Sequence, residues 1–130
     1  MATGVALNLG LARLALLAIG GGGTAYNNAN ARIIVGDDAT APLAAQIAVI
    51  GTAVADAMDA TFPTSPPVSN TLVFQATFTP AAITNEVAEI VVDNGAGDVE
   101  SLCRIVLDVS ERFTPAAGDV VRIKVEIPLA

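Results

Sequence analysis

The stretch 72–78 restricts the fold more than any other part of the chain. Leu72, Phe74, Ala76 and Phe78 alternate there with Val73, Gln75 and Thr77. A period of two places one set on a single side of an extended chain, which predicts a strand with one face on a core. Val121, Ile123, Val125 and Ile127 repeat the pattern against Arg122, Lys124 and Glu126, so 120–127 reads as a strand whose second face meets water. Between these two, the apolar runs 88–92 and 102–109 flank Asp93-Asn94-Gly95-Ala96-Gly97-Asp98. Such residues tolerate turn conformations, and the spacing predicts a hairpin spanning 90–106. A further short strand is expected at 32–35, ended by Gly36-Asp37-Asp38. The alanine-rich run 43–50 fits helix or strand, and 61–70, with Pro63, Pro66 and Pro67, reads as a loop. No strand alternates with a long helical pattern, which argues against parallel βαβ units. The expected fold is mainly β: an antiparallel β-sandwich over 24–130, preceded by an N-terminal α-helix or arm over 1–23.

The arm has its own logic. Val5, Leu9, Ala12, Leu16 and Ile19 follow one another at helical spacing, and Leu7, Leu11, Leu14 and Ala18 form a second apolar strip beside them. Only the side with Ala6, Gly10, Arg13 and Leu17 is less apolar. A helix apolar around most of its circumference needs cover on more than one side. Gly20 to Gly23 then stop it and supply a hinge, so the segment reads as a docking arm on a swivel. Val5, Leu9, Leu11, Leu14, Leu16, Leu17 and Ile19 are the expected interface residues. A signal peptide is disfavoured because no Lys or Arg precedes the run and Arg13 interrupts it. A membrane span is disfavoured too, since about 20 apolar residues are needed.

Composition narrows the function. The hydrophobic fraction is 53% and the charged fraction 15%, so the chain holds more apolar residue than one small core uses. Surplus apolar surface points to contacts with other subunits. A net charge of −7 repels phosphate backbones, and no basic cluster or set of aromatics offers a nucleic-acid platform. With no histidine, the commonest general base is missing, so Ser65, Ser69, Ser101 and Ser110 lack a His to activate them, and no G-x-S-x-G elbow is present. Asp37 and Asp38 read as turn residues, Asp56 and Asp59 share a helical spacing, and Glu86 and Glu89 suit pairing with an arginine. Asp93, Asn94, Asp98 and Glu100 offer oxygen ligands, but their spacing matches no EF-hand and favours a plain hairpin turn. The single Cys103 lies in an apolar run and reads as an inert buried thiol. No catalytic residue, cofactor or metal is expected.

Several segments, taken in order, resemble small structural proteins of tailed bacteriophages. They are Asn28-Ala29-Asn30-Ala31-Arg32-Ile33-Ile34-Val35-Gly36-Asp37-Asp38-Ala39-Thr40-Ala41, then Ala57-Met58-Asp59-Ala60-Thr61-Phe62-Pro63. Asn70-Thr71-Leu72-Val73-Phe74-Gln75-Ala76-Thr77-Phe78 and Thr84-Asn85-Glu86-Val87 follow, the last similar to a strand start in tail-collar fibre domains. The chain departs from that group at Ala88, where glycine is usual, and at Glu89, where an apolar residue is common. The resemblance implies a virion component assembled in the host cytoplasm. It does not fix the place on the particle; small size, surplus aliphatic surface and the apolar arm favour a capsid decoration (cement) protein that forms an oligomer, a trimer for example, and clamps the major capsid protein. The alternative is a tail-fibre, collar or tail-tip subunit bound to tail proteins. Neither form has nucleic acid or membrane as a partner.

Overall fold

The computed structural model describes residues 3–46, 48–65, 70–95 and 100–129. Among them the strands are β1 (Thr3–Ala6), β2 (Arg32–Gly36), β3 (Val54–Ala57), β4 (Thr71–Phe78), β5 (Glu89–Asp93), β6 (Cys103–Val106) and β7 (Val121–Pro128). One α-helix, α1 (Asn8–Ala18), follows β1, and a single 3-10 turn covers Val109–Glu111. The strands form two antiparallel sheets, one ordered β1-β6-β5-β2-β3 and the other β4-β7. The mainly β, antiparallel architecture expected from the alternating runs is therefore present.

The two sheets share one core. Phe74, Ala76 and Phe78 of β4 and Ile123 and Val125 of β7 pack on Ile33, Val35, Ile90, Val92 and Cys103 of the larger sheet. Pairing of Phe74 with Val125 and Ala76 with Ile123 keeps the period-two residues of both strands on the inner side. Burying a leucine- or phenylalanine-sized side chain is worth roughly 1.5–3 kcal/mol, so this face holds the smaller sheet in place. The hairpin also stands where the sequence puts it, with Ile90 opposite Ile105 and Val92 opposite Cys103.

The larger sheet is covered on both sides. Every residue of β5 is buried, including Glu89 and Asp93. Its second cover is the long β2–β3 connection, whose backbone meets Arg104 and Glu89 on the face away from β4 and β7. The run 43–50, open between helix and strand in the sequence, is neither over its described residues. It forms a turn and irregular chain, and Ile47 lies outside the described residues. Pro66, Pro67 and Ser69 of the expected loop also lie outside them.

The N-terminal segment differs most from expectation. The helical periodicity begins at Val5, yet 3–6 form a strand paired with β6, Val5 standing opposite Arg104. An unpaired edge of β6 accepts that strand, and tertiary pairing overrides local periodicity. Leu7 is fully buried, and its N–H donates to Leu102 O at 3.0 Å. The first two glycines of the expected hinge cap the helix: the Gly21 N–H reaches Leu16 O at 2.7 Å, with Gly20 at φ 73°.

Candidate functional site

Helix α1 carries the feature that composition pointed to, and its orientation is the surprise. It has one buried residue, Gly10. A side chain at that position would fall inside van der Waals contact of Ser101 O and the Leu102 Cα. Only glycine lets the helix backbone lie this close to the strand leading into β6. Beside it, Arg13 Nε donates to Glu100 Oε2 at 2.6 Å and Arg13 Nη1 to Gly22 O at 2.9 Å. Glu100 is held in turn, since Asn94 Nδ2 donates to its Oε1 at 3.2 Å and the Tyr26 hydroxyl to its backbone O at 2.7 Å. Burial, together with the Glu100 charge, holds that phenol above its usual range.

The helix thus rests on its least apolar side. Leu14 turns toward the core and Leu17 is half-buried, while Leu9 (44%), Leu11 (45%), Leu16 (42%) and Ile19 (82%) face outward. Of the expected interface residues, those four are presented. Val5, Leu14 and Leu17 are engaged with the body: Val5 lies in β1, and the others are on the packed side. The outward face carries no charge, because the helix's lone charged side chain is turned to Glu100. Leu43 joins the exposed apolar residues, and the Asn8 N–H donates to Ala44 O at 2.9 Å, which brings 43–45 against the start of α1.

The carboxylates occupy positions that hold chain in place. Asp37 accepts from the Thr52 N–H and Asn85 Nδ2. Hydrogen bonds from Thr40, first from its side chain and then from its N–H at 2.7 Å, lower the pKa of Asp38. Asp56 and Asp59 share no helix: the first lies in β3, and the second accepts from Gln75 Nε2 (2.9 Å) and Thr77 Oγ1 (2.7 Å) of β4. Glu89 does pair with an arginine, Arg104, at 2.7 Å, both side chains being fully buried. Gly36, opposite Glu89 in the ladder, leaves room for that carboxylate where any side chain would overlap it. The sequence signals Glu89 as a pairing carboxylate, but not its partner or its burial.

Of the oxygen ligands in the hairpin turn, Asp93 binds Arg32 through both oxygens (3.1 and 2.8 Å), and Asp98 lies outside the described residues. No group of three or more His, Cys, Asp or Glu suited to a metal ion occurs among the described residues. Cys103 is buried, and desolvation pushes its thiol up to about 12. Among the described residues, no helix is long and apolar enough to cross a membrane. A groove of about 440 Å³ runs between β1 and β7, lined by Gly4, Val5 and Ala6 of β1, Cys103 and Ile105 of β6, and Glu126, Ile127 and Pro128 of β7. Comparison with protein-family models, with curated proteins and with solved structures finds no match.

Proposed function

We propose that this chain is a non-catalytic structural subunit of a tailed-phage particle, acting by association with copies of itself and with a larger particle protein. The observation that carries the assembly part is the outward, uncharged face of α1. A monomer has no use for a helix fastened by its polar side with its leucines toward water, whereas a subunit interface does. The segment resemblance supports the placement in a virion. Within it, a cement role on the outer head suits a small acidic β-sandwich with exposed apolar side chains at several points of its surface. Support for a non-catalytic reading comes from Asp37, Asp38, Asp59, Glu89, Asp93 and Glu100, each of which is engaged in a structural contact.

The test is to label particles from the chain's source with a gold-tagged antibody raised against it. Label spread over heads supports decoration, and label gathered at the tail selects the fibre or collar role. Particles with no label overturn the virion reading.

A further inference from the structure

Resting on the assembly reading, we infer that two copies associate through α1, paired antiparallel about a twofold axis. The outward strip is Leu9, Ala12, Leu16 and Ile19, spaced three, four and three residues apart, which is the seam spacing of helices that pack side by side. Reversing one copy aligns Leu9 with Ile19 and Ala12 with Leu16, in two symmetric sets. Each central layer then sets a large residue against a small one, so the helices approach closely without a void. A parallel pair instead sets Ala12 on Ala12 and Leu16 on Leu16, leaving one layer empty and the next crowded.

Charge favours the same arrangement. The first turn of α1 has no acidic residue, the last turn has no basic one, and no side chain caps its N-terminus. Its dipole is therefore left without side-chain compensation, and an antiparallel neighbour brings the opposite pole to each end. Arg13, held by Glu100 on the far side, adds no repulsion.

Area decides what else must take part. An 11-residue helix is about 16 Å long and about 10 Å across, so its outer half offers on the order of a few hundred Å². A standard interface needs about 800 Å² per partner. Residues 43–45, bonded to the start of α1, supply the extension: Leu43 is 62% exposed, and in this register the Ile19 end of the second copy comes beside it. Ile19, just past the helix and the most exposed large apolar residue of the segment, gains cover from both Leu9 and Leu43.

The experiment combines solution mass with cysteine cross-linking. The full chain should run at twice its 13.1 kDa mass, and the doubly substituted Leu16→Lys, Ile19→Lys chain at the single mass with unchanged circular dichroism. Ala12→Cys and Leu16→Cys chains, mixed and oxidised, should cross-link to each other, while each alone stays largely uncross-linked and buried Cys103 takes no part. Cross-linking of Ala12→Cys with itself indicates parallel helices and overturns the pairing. A wild-type oligomer indifferent to the lysine substitutions overturns the α1 contact and leaves the assembly reading standing. A single-chain mass at every concentration up to the millimolar range removes both.

Discussion

Exchanging Arg104 for methionine tests the buried charge pair that orders the β2–β3 connection. Arg104 reaches Glu89 Oε2 at 2.7 Å, Thr40 O at 2.7 Å and Gln46 Oε1 at 3.3 Å. Glu89 uses its other oxygen to accept from the Ile50 N–H at 2.6 Å and the Gly51 N–H at 3.3 Å. The pair thus ties both ends of the connection to the sheet. Methionine keeps much of the volume but strands a carboxylate fully out of water, and breaking one side of such a pair costs about 3–5 kcal/mol. At roughly 2 kcal/mol/M in urea, the unfolding midpoint should fall by about 2 M. Glu89→Leu should cost somewhat less, for the guanidinium, whose Nε already lacks a partner among the described residues, keeps the Asp38 carboxylate 3.6 Å from Nη2 as a second, longer counter-charge. The double variant removes both charges and loses only the loop hydrogen bonds, so its loss should match one single variant and not the sum of two. Urea melts of the four proteins measure the coupling, and exchange of the Ile50 and Gly51 amides reports the connection itself. Strict additivity, or a cost for Arg104→Met within about 0.5 kcal/mol, refutes the claim that the ion pair holds this segment.

The remaining predictions concern other parts of the frame. Gly10→Ala should destabilise by about 1–2 kcal/mol in denaturant melts: the overlap with Ser101 and Leu102 backbone costs about 1–3 kcal/mol, more than the helix-propensity gain of at most about 1 kcal/mol. A neutral or stabilising result would show that α1 docks less tightly than described. Cys103 should resist a thiol reagent at pH 8 in the native protein and react at once in urea. Because its thiol is pushed up to about 12, the neutral form contributes stability below the unfolded value of about 8.5 and progressively less as pH rises from there. Asp59 behaves in the opposite sense: despite partial desolvation, its bonds from Gln75 and Thr77 lower its pKa. Its contribution is therefore present above the unfolded value of about 3.9 and lost as pH falls through the folded one. Asp59→Asn should flatten the acid limb of the melting-temperature profile relative to wild type, and an unchanged limb counts against this role.

What the sequence made legible follows from how local each cause is. Strand β7 alternates covered and exposed residues because one of its sides meets water, and β4 alternates buried and half-buried residues from Phe74 to Phe78, a pattern that the shared core forces on any sequence that forms them. The hairpin declares itself through its turn residues. β1 and β3 do not, because TGVA and VADA are four residues long and become strands only beside β6 and β2. The run 43–50 looks like a core element by composition, yet its path depends on Arg104 and Glu89, both remote in sequence. For α1 the sequence showed which sides were apolar but not which one faced the body. That choice rests on the missing side chain at Gly10 and on a partner for Arg13 that lies 87 residues away.

These remote contacts share a consequence for assembly. Glu89, Arg104, Asp93 and Asn94 are polar or charged residues buried to 1% exposure or less, and they fasten the irregular segments beside the sheet, while Leu9, Leu16, Ile19, Leu43 and Ile50 stand in water on those segments or on the helix. The usual distribution is reversed where loops and helix meet solvent. Burying an ion pair adds little net stability compared with apolar residues of the same size, so stability alone does not explain the arrangement. Rigidity does. A surface whose leucines already sit in one geometry loses less conformational entropy when a partner covers them, and each side chain already immobilised spares about 0.5–1.5 kcal/mol on association. On the proposed assembly, the interior polar groups serve an interface they never touch: loosening the Glu89–Arg104 pair should weaken the proposed self-association even in variants that remain folded. Dilution series on the Arg104→Met chain decide this, since an unchanged dissociation constant would separate the network from assembly altogether.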